Sequence, residues 1–409
     1  MGRSCRYSRR AIDVATAELE FNPMDSAFNA DPFPTYRRLR AEDPVHRSPM
    51  GFWVLTRYDD VATVLRDGRF GRKGFDDLIR TRLGEASVDQ SMLFRDPPDH
   101  TRLRSLVNKA FTPRVVEDLR PRIQQIVDGL LDRVRDTRAM DVIADLAYPL
   151  PVIVICEMLG VAAQDRDVFR GWSADIARSL DAIALPTQPE VIERGNAARR
   201  ALADYFRALV AERRRRPRTD LLSDLIAAEE QGDKLSEGEL MATILLLFVA
   251  GHETTVNLIG NGTLALLRNP DQLGALRQDP ALIATAVEEL VRYDGPVQRT
   301  GRIPNTDVEL GGKAIPKGSL VLGVIGAANR DPAHFAEPDR LDVTRVDNRH
   351  LGFGWGIHFC LGAPLARAEA QAAIGTLARR LPGLALATAT PEWRGASALR
   401  GLTALPVMF

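Results

Sequence analysis

The apolar pattern divides the chain into a short strand-bearing start, a long helical middle and an irregular end. Residues 31 to 43, Asp-Pro-Phe-Pro-Thr-Tyr-Arg-Arg-Leu-Arg-Ala-Glu-Asp, predict a short helix opened by proline. Phe52-Trp-Val-Leu-Thr56 reads as a strand and Tyr58 to Arg66 as a helix. Helical periodicity dominates from about Thr101 to Ala228, with breaks at Pro113, Pro149, Pro151, the Ala184 to Pro189 segment and Pro217, so the centre is expected to be all helix. Ser236-Glu-Gly-Glu239 predicts a capping box for a helix reaching about Leu267, long enough to cross the core. After Asn269-Pro270 a further helical stretch runs to Tyr293. Strand-like pieces follow at Asp307 to Leu310, Lys313 to Ile315 and Leu320 to Leu322, and a last strand region closes the chain at Ala404 to Phe409.

Length changes this picture little. The 409 residues could hold two average domains, but no linker, repeat or low-complexity tract divides them. Residues 20 to 409 are expected to form one domain behind a disordered tail, 1 to 19. Lys+Arg and Asp+Glu number 54 each, which gives no global attraction to nucleic acid or to an acidic surface. Cys5, Cys156 and Cys360 lie too far apart for a disulfide framework or a paired-cysteine metal site, and fit a reducing cytoplasm. The four arginines among the first ten residues are followed by Asp13, Glu18 and Glu20, unlike a signal peptide. The longest apolar run, Leu240 to Gly251, has twelve residues against about twenty for a membrane span, so no membrane association is expected.

Three motifs carry candidate chemistry. Phe353-Gly-Trp-Gly-Ile-His-Phe-Cys360-Leu-Gly362 delivers one cysteine, beside one histidine, to the start of an apolar helix beginning Ala363-Pro-Leu-Ala. Its glycines permit turns and close backbone approach to a flat ligand, and the positive helix end favours thiolate over thiol. An isolated cysteine near one glycine is usually a buried free thiol; six fixed positions in ten residues argue otherwise. Ala250-Gly-His-Glu-Thr-Thr255 inserts polar side chains into a core helix, where the Thr254 hydroxyl can reach the Ala250 carbonyl and open the helix locally. Taken alone, this motif is equally a polar face meeting solvent or another buried polar group. Glu289-Leu-Val-Arg292 sets an ion pair on one helix face, but Glu117/Arg120, Glu212/Arg215 and Glu337/Arg340 repeat the pattern, so only position singles it out.

The pattern Phe-Gly-x-Gly-x-His-x-Cys-x-Gly resembles the heme-binding signature of the cytochrome P450 superfamily, and the other motifs stand in that family's order over residues 20 to 409. Thr254 lies 106 residues before Cys360, approximately as in soluble bacterial members, and Glu289 and Arg292, 71 and 68 before it, resemble the family's structural pair. The resemblance implies a mainly α fold with small β-sheets (α+β), a triangular prism with a long central helix over heme b, and Cys360 as the axial thiolate. It implies that Ala250, Gly251, Phe353, His358 and Gly362 line the cofactor, and that His100, Arg104, Arg299 and His358 meet its propionates. Thr254 would hold a proton-delivering water, Glu253 would relay protons, and Arg340 would complete the Glu289–Arg292 pair. Substrate contacts would come from the segment 71 to 94, the region 167 to 213, and Leu246, Val249, Val297 and Leu399.

The implied reaction is insertion of one oxygen atom from O2 into a lipophilic small molecule, by hydroxylation or epoxidation. No flavin, nicotinamide or iron–sulfur signature is present, so electrons would come from NAD(P)H through a ferredoxin reductase and a ferredoxin. Arg102, Lys109, Arg114 and Arg349 are candidates to dock that acidic carrier. A cytoplasmic monomer without nucleic-acid partners is expected. A peroxide-driven heme enzyme would more often lack the Glu253-Thr254 pair, and a heme-thiolate sensor would need an output element. Competing motifs fail on inspection: His252-Glu-Thr-Thr-Val256 has Val where a zinc helix needs its second His, Phe359 replaces the third glycine of a dinucleotide loop, and Arg213 to Arg216 reads as a solvated helix end. The place of Trp355, against a cofactor or neighbouring protein, stays open.

Overall fold

The computed structural model describes residues 21–84, 91–108, 111–166, 168–230, 235–395 and 398–409. The expected tail and Lys109 lie outside the described residues. Among the described residues helices predominate, with three small sheets beside them. The central helix, Glu237–Arg268, opens on the expected capping box: Ser236 accepts from the Glu239 N–H while the Glu239 carboxylate accepts from the Ser236 N–H. From Val256 to Leu266 it is buried on every side, its polar residues Asn257, Asn261 and Thr263 included. Its first half packs on Phe169 and Phe206, and its second half on Ile143, Leu290 and Ile374, so it separates two hydrophobic cores. By length and composition it could cross a membrane, but burial inside the fold already accounts for its apolar surface.

Among the described residues ten strands build the sheets: β1 (Val45–Arg47), β2 (Trp53–Leu55), β3 (Phe70–Gly71), β4 (Ala139–Asp141), β5 (Thr300–Pro304), β6 (Val308–Leu310), β7 (Lys313–Ile315), β8 (Val321–Gly323), β9 (Ala385–Leu386) and β10 (Pro406–Met408). The largest sheet has the order β1-β2-β8-β5-β3, with β2 and β8 parallel and the other pairs antiparallel. It brings the end of the helix Ile283–Asp294 and the following chain back beside the N-terminal strands.

Three expectations need correction. The centre is not all helix, because β4 pairs with β10 from the end of the chain; three residues held by a distant partner leave no periodicity. Pro151 does not break a helix but stands in the first turn of Pro149–Met158, where its missing N–H costs nothing. The stretch after Pro270 is in turn interrupted at Pro280, giving Pro270–Gln278 and Ile283–Asp294.

Candidate active site

A cavity of about 840 Å³ lies between the central helix and the loop before the helix Ala363–Arg380. That is toward the large end of ligand pockets. Cys360 stands at its floor. The loop turns through Gly354 and Gly356, both at positive φ, and a Cβ on Gly356 would sit 2.6 Å from the Leu65 carbonyl oxygen, so only glycine fits there. The Cys360 N–H donates to the Phe353 carbonyl at 2.9 Å and closes the loop. Gly362 differs: its φ is ordinary and its Cβ direction is open, and its site borders the cavity. Cys360 has exposed surface, but that surface faces the cavity. Burial pushes its thiol pKa up, while the Gly362 and Ala363 N–H groups and the Arg104 and Arg367 charges pull it down. Cys156 is sealed in a core and pushed up to about 12 by burial, which leaves it an inert thiol.

Phe353 is braced from behind. Arg367 lies 4.4 Å from its ring centroid and makes two hydrogen bonds to Glu288, at 2.6 and 2.8 Å. His350 adds a third contact to the same carboxylate at 3.1 Å. Burial opposes ionisation of Glu288, but these partners win and hold its pKa down to about 2. One residue further on, Glu289 and Arg292 form a fully buried pair with bonds of 2.7 and 2.8 Å. Arg292 also donates to the carbonyls of Asn329, Pro338 and Arg340. The Arg340 side chain, however, is exposed and bound to Glu337, so it contributes only its backbone oxygen. Arg345 completes the pair instead, reaching Glu289 Oε2 at 3.1 Å. At Glu117/Arg120 the same spacing gives an exposed ion pair.

At one end of the cavity the side chains of Arg72, His100, Arg104, Arg302 and His358 converge. The two histidine rings lie 4.4 Å apart, and both ring nitrogens of His100 and Nε of Arg72 are buried without hydrogen-bond partners. Burial and the surrounding positive charges push His358 down to about 2, and burial pushes Arg302 down to about 10. Asp96 opposes this cluster but spends its carboxylate on the backbone N–H groups of Arg72 and Lys73. A ligand with two carboxylates would satisfy these groups, as heme propionates would. Arg299 is not among them. Thr300 and Arg302 face the cavity from alternate positions, whereas Arg299 bonds Asp181 at 3.1 Å in the other direction. Arg72 and Arg302 were missed in the sequence; alternation from Thr300 was the available signal for Arg302.

Above the floor, Thr254 donates to the Ala250 carbonyl at 3.1 Å and borders the cavity. Glu253 is buried and bonds Arg394, an unforeseen partner from the C-terminal segment, at 2.9 Å. His252 turns away; its Nδ1–H donates to the Phe248 carbonyl at 2.7 Å, and burial lowers its pKa. Ala250 and Gly251 border the cavity, as do Leu246, Val249, Val297 and Leu399. The segment 71 to 94 contributes Ile79, Leu83 and Met92 to Phe94, while its residues 85 to 90 lie outside the described residues. Trp355 packs against neighbouring protein, with Arg66 4.8 Å from its ring centroid. Of the arginines expected to dock the carrier, Arg349 is 85% exposed, but Arg102 is bound to Glu239.

A lone cysteine beneath a polar break in a buried helix, with cations grouped for two carboxylates, defines a heme-thiolate protein. Residues 45–382 match the family model Cytochrome P450. The chain is 47% identical over 402 residues to Cytochrome P450 107B1 of Saccharopolyspora erythraea, covering 94% of this chain and 96% of the relative. It is 44% identical to the monooxygenase PikC of Streptomyces venezuelae, covering 98% and 97%. The myxobacterial cytochrome P450 CYP267B1, solved with myristic acid, superposes with a TM-score of 0.88 at 46% identity, covering 94% and 98%. This chain belongs to the cytochrome P450 family, and it is a monooxygenase of that family.

Proposed function

We propose that this monooxygenase inserts one oxygen atom from O2 into an unactivated bond of a lipophilic small molecule, and that the Cys360 thiolate would hold its heme b. The observation that carries the reading is that the Cys360 thiol and the Thr254 hydroxyl border one largely apolar cavity. Heme held by a thiolate supplies the activation of O2. The chain's own residues do the rest. Phe353 and the loop N–H groups hold the sulfur, while His100, Arg104, Arg302 and His358 would bind the propionates. Leu246, Val249, Val297 and Leu399 exclude water and hold the apolar substrate.

The Thr254 hydroxyl, anchored on the Ala250 carbonyl, positions a water, and Glu253 supplies protons to it. Arg394, one-third exposed, links that buried carboxylate to the surface. Two electrons and two protons balance the reaction, with the second oxygen atom leaving as water. The electrons come from NAD(P)H through a ferredoxin that docks on the Cys360 side near Arg349, and the enzyme works in the cytoplasm as a monomer. Likeness to CYP267B1, solved with myristic acid, supports a lipophilic substrate.

The test is turnover of a lipophilic substrate panel with a surrogate ferredoxin and reductase, against turnover on hydrogen peroxide alone. Efficient oxidation only with the electron-transfer proteins supports the reading. Oxidation on peroxide at equal efficiency overturns the O2 route.

A further inference from the structure

The charged residues bordering the cavity are unequally signed. Glu253 is its only carboxylate among the described residues, and Arg394 already neutralises it. Beyond the cation cluster expected to hold the propionates, three further arginines border the same cavity: Arg199, Arg200 and Arg207. All three stand on the helix Pro189–Arg215. With Ala203, which also borders the cavity, they fall within an arc of about 100° on that helix. A solvated helix would scatter its arginines around its outer face; here one face turns them to the ligand space.

Their pairing differs. Arg199 is held by Ser179 Oγ at 2.7 Å and Asn196 Oδ1 at 3.1 Å. Arg207 is bound to the exposed Asp204. Arg200 has no ion pair or hydrogen bond among the described residues. Arg200 and Arg207 are both exposed and so form the solvent rim of a cavity whose floor is Cys360. Between rim and floor the wall is apolar, with Leu245, Leu246, Val249 and Ile176.

We propose that this cavity selects amphiphiles with an anionic end, a carboxylate or a phosphate monoester, seated on Arg200 and Arg207 while the apolar body extends toward Cys360. The inference rests on the monooxygenase reading and deepens it by naming the substrate class. The chemistry is direct. Two guanidinium groups at a half-hydrated rim favour an anion by charge-assisted hydrogen bonds, and the like-signed surroundings disfavour an amine. The substrate is thereby oriented with its charged end outermost, so oxidation falls on the part remote from the anion.

The test titrates the heme-loaded enzyme with dodecanoic acid, methyl dodecanoate and dodecyl phosphate, by spin-state shift and by calorimetry, in the wild type and in an Arg200→Gln/Arg207→Gln variant. The expected result is that the acid or the phosphate binds about tenfold more tightly than the ester, that the preference weakens with salt, and that it disappears in the variant. Ester affinity then stays near its wild-type value, which shows that the variant is folded. Whichever anion binds better assigns the head group. Equal binding of ester and anions in the wild type, or an anion preference that survives both substitutions, overturns the proposal. A spin shift with the ester alone would leave the monooxygenase reading standing while removing this one.

Discussion

Below the cavity, arginine is used to fix structure: Arg292, Arg345 and Arg367 are each bound to a glutamate on the helix Ile283–Asp294, and Arg292 also saturates three backbone carbonyls. At the rim, Arg200 has no partner among the described residues and Arg207 has only an exposed one. The two regions share a residue type and differ in hydration. A buried guanidinium must be fully paired, because leaving it alone in a core is far more costly than the pair is favourable. An exposed one keeps its water and remains available to a ligand. The floor therefore holds one geometry for the sulfur, while the rim is free to select what enters.

The sharpest way to break this contrast is Glu289→Ala, which leaves Arg292 charged and unpaired in the core. A loss of about 3–5 kcal/mol is expected, read as failure to recover folded, heme-loaded protein. Glu337→Ala removes the acid of the same sequence pattern at an exposed site and should leave the melting temperature unchanged. Equal effects of the two would refute the distinction.

A smaller but still large effect is expected above the floor. Thr254→Ala should leave the fold and the heme spectrum intact while uncoupling electron consumption from product by about tenfold or more, as loss of a positioned proton donor does. Unchanged coupling would remove Thr254 from the proton route. Arg302→Leu should then weaken heme retention about tenfold in transfer to apomyoglobin, whereas Arg299→Leu should leave retention unchanged and lower thermal stability by exposing Asp181 to a lost partner. The reverse order would restore Arg299 to the cofactor.

The smallest effect is a pH window. Glu288 is held down to about 2 in the fold, against 4.5 without its partners. A depressed acid contributes stability that is complete above its unfolded value and lost as pH falls from about 4.5 toward 2. Glu288→Gln should flatten the stability curve across that window, and an unaltered slope there would show that Glu288 does not brace the loop.

What the sequence revealed follows the same division. The Glu289–Arg292 ion pair and the Ser236 capping box were legible because their partners stand three residues apart, although the spacing alone did not tell the buried Glu-x-x-Arg pair from the exposed ones. Arg340 was misjudged because its side chain leaves the Pro338 turn toward solvent, while Arg345, five residues on in irregular chain, returns to Glu289. Arg299 and Arg302 differ only in which side of an extended segment they face, and that depends on the pairing of β5 with β8. Arg394 reaches Glu253 across 141 positions, a separation no local pattern encodes. The rim arginines lie within the region 167 to 213 expected to meet substrate, but which of its residues face the cavity depends on how the helix Pro189–Arg215 lies over it.

The most direct test of the central claim, that Cys360 at the floor is the thiolate ligand, is the absorption spectrum of the dithionite-reduced protein under carbon monoxide. A strongly red-shifted Soret band that is lost in Cys360→Ser is predicted. A band at the position typical of imidazole or neutral-thiol ligation, or no heme band from well-folded protein, would contradict it.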